Sequence, residues 1–66
     1  MKYEVIMRVQ ETRYSDKVDK YRTIVPEERV QGVIKQYESH LPSDCYGAWV
    51  LVNKLDDQGN FIEVIQ

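Results

Sequence analysis

The chain has 66 residues and is poor in the residues that staple or arm small proteins, with one cysteine, one histidine and one tryptophan. A lone cysteine excludes an intramolecular disulfide framework, and one His plus one Cys cannot close a structural zinc site. Glycine and proline are scarce as well, at three and two residues, and there is no linker, repeat or phosphate-binding glycine loop. No apolar run approaches the roughly 18 residues that a membrane span needs. The first ten residues, MKYEVIMRVQ, alternate polar with apolar and lack the continuous hydrophobic segment of a signal peptide. Together with the free thiol, these absences predict a cytoplasmic chain with no membrane partner and no cofactor.

Of the residues, 42% are hydrophobic and 30% charged, the proportions of a folded globular chain. A single domain of this size buries only about 60% of the surface that its unfolded form exposes. With disulfide and metal set aside, the expected extra support is self-association, as a homodimer, or a partner. The net charge of −2 argues against general affinity for nucleic acid. The distribution is uneven, however. Residues 1–22 carry six basic and four acidic side chains, and residues 23–66 carry three and seven.

Tyr3, Val5, Met7 and Val9 alternate with polar neighbours, the period of a half-buried strand, and Ile6 interrupts the polar side. YSDKVDK supplies turn chemistry, so a hairpin is predicted across Asp16–Asp19, leading into the strand KYRTIV. Pro26 ends that strand and suits a helix start. Glu27 and Glu28 then place negative charge at the positive end of the helix dipole. Val30, Val33, Ile34, Tyr37 and Leu41 form one apolar stripe, predicting a helix from Pro26 to about His40 that Pro42 bars from continuing. Residues 45–55, CYGAWVLVNKL, read as a strand apolar on both faces: Tyr46, Ala48, Val50 and Val52 on one, Trp49, Leu51 and Leu55 on the other. Which face meets the helix stays open. DDQGN is a hairpin loop with Gly59 placed for positive φ, and the last strand sets Phe61 and Ile65 against Ile62 and Val64. The order is ββαββ. The fold class is α+β in two layers, with one helix packed across a four-stranded antiparallel sheet.

The stretch Glu38–Cys45, ESHLPSDC, gathers the only His and Cys around Asp44. A cysteine nucleophile needs a stabilised thiolate, and the C-terminal end of a helix opposes one. His40 reads instead as a residue of the last helical turn, Ser43 and Asp44 as turn residues, and Cys45 as a small hydrophobe opening a strand. DDQGN resembles a calcium loop only superficially, since its glycine comes too early and the distal glutamate is missing. No catalytic, cofactor-binding or metal-ligating residue is therefore assigned, and the chain is expected not to be an enzyme. Gly32 falls opposite the apolar stripe with Ser39 near the same angle; a second helix could approach there, but a glycine tolerated because nothing selects for maximal stability is the simpler reading.

One helix covers one sheet face. The other is left with Ile6, Ile24 and a tryptophan, and contiguous apolar surface of that kind marks interfaces. The expected function is a small non-enzymatic binding or regulatory protein that acts through a protein–protein interface on the sheet. By analogy it resembles the accessory factors and inhibitors of phages and mobile elements. The candidate partner-binding residues are Ile6, Arg8, Arg13, Tyr14, Arg22, Trp49 and Leu51. The alternative is nucleic-acid binding by the basic first hairpin, with Arg8, Arg13, Lys17, Lys20 and Arg22 on phosphates and Tyr14 and Tyr21 stacking on bases.

Overall fold

Period-two patterning in Lys2–Gln10 yields strand β1, the centre of the molecule. A computed structural model describes residues 1–66, with β1 followed by β2 (Val18–Pro26), helix α1 (Glu27–Ser39), β3 (Gly47–Leu55) and β4 (Phe61–Val64). The four strands form one open antiparallel sheet in the order β2-β1-β3-β4, with the single helix against it. Strands β2 and β3 flank β1, so the chain leaving β2 crosses over β1 as helix α1 before it descends as β3. The α+β ββαββ arrangement is as the sequence predicts, and the strand order, which periodicity cannot supply, is now defined. No helix is long and apolar enough to cross a membrane.

The helix stripe packs as its spacing requires. Val30 and Ile34 join Val5, Val50 and Val52 in the buried cluster, with Tyr3, Val25, Val33, Tyr37 and Leu41 packed around it. The Val50/Val52 side of β3 therefore meets the helix, and the Trp49/Leu51 side does not. At its start the helix has no side-chain cap. Pro26 is extended, with φ −71° and ψ 163°, and the first-turn acids Glu27 and Glu28 supply the charge complement. At its end the His40 N–H donates to the Tyr37 carbonyl at 3.1 Å. Gly32 faces open space, with nothing of this chain near it.

Three local details differ from the sequence reading. The first hairpin turns at Thr12–Ser15 rather than at Asp16–Asp19. The Thr12 and Ser15 hydroxyls are 2.6 Å apart, and the Ser15 N–H donates to the Thr12 carbonyl at 3.2 Å. This turn lets β2 begin at Val18 with Asp19 already inside the strand. Cys45 does not open β3, which starts at Gly47; its thiol sits 3.5 and 3.4 Å from the Pro42 and Gly47 carbonyls. A bulge between Lys54 and Leu55 shifts the β4 register. Phe61 pairs with Leu55 and Val64 with Asn53, so both fall on the side away from the helix. Ile65 instead helps line a cleft beside Tyr3, Val30, Ile34 and Val52 on the helix side, so it does not share a face with Phe61.

Candidate protein-interaction face

The sheet side away from the helix is built as cross-strand rows that the register defines. Ile24, Glu4 and Asn53 stand abreast, then Arg22, Ile6 and Leu51, then Asp19, Arg8 and Trp49. Five of the seven candidate residues, Ile6, Arg8, Arg22, Trp49 and Leu51, thus share two adjacent rows. The other two do not. Arg13 and Tyr14 lie in the hairpin turn, with the Arg13 guanidinium 5.9 Å over the exposed Tyr14 ring.

No second layer covers this face, yet Ile6, Leu55 and Glu4 are buried in it. Glu4, only 8% exposed, accepts from Arg22 Nε on Oε2 and from Asn53 Nδ2 on Oε1, the latter at 2.9 Å. A buried carboxylate needs such partners, because an unpaired one would be several kcal/mol out of balance. In the next charged row Arg8 Nε donates to Asp19 Oδ1 at 2.7 Å. That bond holds the Asp19 carboxyl below its ordinary value and raises the Arg8 guanidinium. Each arginine is thereby neutralised within the plane of the sheet.

Trp49 is 38% exposed and held from two sides. Its ring lies over Gly47, where a Cβ would come within 2.6 Å of the indole, so only glycine allows this close approach. The Lys17 ammonium sits 5.1 Å above the ring centroid. Ile24, Phe61 and Val64 add exposed apolar surface around these rows. Sequence reasoning assigned no role to Glu4, Asn53 or Gly47, and placed Lys17 on phosphates rather than over Trp49. A carboxylate inside an otherwise apolar strand, and a glycine two places before the sole tryptophan, are the signals that could have found them.

The five basic residues assigned to phosphates each have an intramolecular contact: Arg8 with Asp19, Lys20 with Glu11 at 3.6 Å, Arg22 with Glu4, Lys17 over Trp49 and Arg13 over Tyr14. Elsewhere, His40 Nδ1 is 2.8 Å from the Gln36 carbonyl, and the Cys45 thiol is directed at backbone carbonyls. These contacts leave His40 and Cys45 without a hydrogen bond to each other or to Asp44. Nowhere do three His, Cys, Asp or Glu side chains converge as a metal shell would require. A cleft of about 340 Å³ between sheet and helix is lined by Met7, Tyr21, Gln36, Tyr37 and His40, at the small end for ligand pockets, and no charged carboxylate or ammonium lines it. No protein-family model matches the chain, and neither a curated protein nor a solved structure matches it.

Proposed function

We propose that this chain is a small non-enzymatic binding or regulatory protein that seats its open sheet face on the surface of a partner protein. The observation that carries the reading is the state of that face: its charges are paired in the plane and its tryptophan is fixed flat and exposed. Three strands of nine residues and the shorter β4 span a plate roughly 30 Å long and about 15–19 Å wide. That footprint is of the order of the ~800 Å² that each partner contributes to a standard interface. Trp49 is the anchor, because aromatic side chains held in place before binding lose little entropy on docking. Ile6 and Leu51 form an apolar floor in the adjacent row, and Arg8 and Arg22 the polar surround. An accessory factor or inhibitor would work this way, by occupying surface. The ion pairs of Arg8, Lys20 and Arg22 with Asp19, Glu11 and Glu4 argue against the nucleic-acid alternative, since a carboxylate beside each of these cations offsets its attraction for phosphate.

The test is affinity capture from a lysate of the source organism, followed by quantitative binding of the recovered partner. Trp49→Ala should weaken that binding at least ~30-fold, the scale of a hot-spot anchor, with an unchanged circular dichroism spectrum. A partner bound equally well by Trp49→Ala and Leu51→Lys sinks the proposal. So does a gel shift at low salt that recovers nucleic acid and no protein.

A further inference from the structure

The sheet has two edges, and they are finished differently. β2 carries Asp19, Lys20 and Arg22 along its length and ends on Pro26, the charge and proline by which natural sheets blunt an edge. β4, at the other edge, reads Phe-Ile-Glu-Val, with Phe61, Ile62 and Val64 exposed to 61%, 44% and 64% and Glu63 its only charge. Its inner side is bonded to β3, so alternate N–H and C=O groups on its outer side are free to pair.

We infer that the outer edge of β4 pairs antiparallel with β4 of a second copy, joining two four-stranded sheets into one of eight strands. Three features select a second copy as the occupant. An antiparallel strand is its own complement about a two-fold axis, so one contact satisfies both free edges and closes the assembly. Pairing β4 to β2 would instead propagate without end, and the charged, proline-terminated edge of β2 opposes it. Finally, apolar side chains flank the junction on both faces, Phe61 and Val64 on the open side and Ile65 on the helix side, so each copy covers the other's exposed strand.

The same geometry limits the affinity. A ladder of four residues buries well under the ~800 Å² per partner of a standard interface, which places the association among weak, reversible ones. It also makes Glu63 a brake. The midpoint of β4 falls between Ile62 and Glu63, so each Glu63 stands opposite Ile62 of the second copy and diagonal to its Glu63, and only Lys54, across from Glu63 on β3, offsets the two carboxylates. This inference does not depend on what the open face binds.

Sedimentation equilibrium of the full chain from 10 μM to 1 mM tests it. A reversible monomer–dimer equilibrium is expected. Phe61→Lys, which sets an ammonium against Val64 of the second copy, should raise its dissociation constant at least tenfold without changing the circular dichroism spectrum, and Glu63→Gln should lower it several-fold. The second variant tightens association, so loss of folding cannot mimic its effect. A monomer at every concentration overturns the inference, as does assembly beyond the dimer. A dimer indifferent to both edge substitutions but abolished by Trp49→Ala also overturns it, and assigns self-association to the open face.

Discussion

The two faces of this sheet bury their central residues to similar extents by opposite means. On the covered side a helix lays Val30 and Ile34 onto Val5, Val50 and Val52, and every member of the cluster is aliphatic. On the open side Ile6 and Glu4 are just as hidden, with no second layer above them. The first is stabilised by apolar area removed from water, at about 25 cal/mol per Å². The second depends on a carboxylate whose two oxygens are both satisfied and on a tryptophan resting on a glycine. A core of the first kind tolerates solvent on its far side. A face of the second kind is already ordered in the absence of any partner, the condition that makes docking inexpensive in entropy.

The sharpest way to break the covered side is Ile34→Ala. Removing a buried branched side chain from a packed site costs about 2–4 kcal/mol. Domains of this size rarely hold more than about 3–5 kcal/mol in total. Urea titration should therefore show a substantial unfolded fraction in water at 25 °C. A loss below about 1 kcal/mol would mean that the cluster is not the core.

On the open side the corresponding change is Arg22→Ala. It leaves Glu4 buried with Asn53 as its only partner, and an under-satisfied buried group of this kind costs about 1–3 kcal/mol. Arg22 is itself largely exposed, so little packing is lost with it. A double-mutant cycle with Glu4→Ala should return a favourable coupling energy. Additive effects would show that the pair contributes nothing, and that the face is held by its apolar residues alone.

Gly47→Ala probes the tryptophan. The new methyl would overlap the indole, so the ring must lift from the sheet, at about 1–2 kcal/mol. Trp49 emission should shift to longer wavelength as the ring gains solvent and loses Lys17. Unchanged emission would mean that the ring does not rest on Gly47.

How much of this was legible beforehand depended on whether one period was enough. The helix and its stripe were, because Val30, Val33, Ile34, Tyr37 and Leu41 satisfy only a 3.6-residue repeat, and all five pack into or against the core. The alternation of β1 was legible as well, but its polar side misled. Glu4 and Ile6 both looked like surface, and both are buried because β2 and β3 bring Arg22, Asn53, Leu51 and Trp49 beside them. Such cross-strand neighbours follow from strand order, which no local pattern carries. In β3, with apolar residues on both sides, the face could be chosen only once the helix was in place. In β4 the bulge reversed the parity of Val64 relative to Phe61, and no residue there announces it.

Acid offers the smallest perturbation and the one that best separates the faces. The aliphatic cluster has nothing to titrate, whereas the open side holds Asp19, depressed by the hydrogen bond from Arg8, and the β3–β4 loop holds Asp56, depressed by N–H donors from Asn60 and Gln58. Both carboxyls bind protons less readily in the folded chain than in the unfolded one. Their contribution is complete above the ordinary aspartate value of about 4 and is lost as pH falls through their lower folded values. Stability should accordingly owe no change to them between pH 5 and 8, and decline below about pH 4. The Arg8–Asp19 pair is exposed and contributes no more than the ~0.2–1 kcal/mol usual for its kind. Its loss reaches Trp49 first, because Arg8 stands directly beside Trp49 in the register. Trp49 emission should thus begin to change at a higher pH than the helical circular dichroism signal, and Asp19→Asn should remove that early change. Coincident transitions in the wild-type chain would show that the open face has no independence from the core, and that the sheet and its helix yield to acid as one unit.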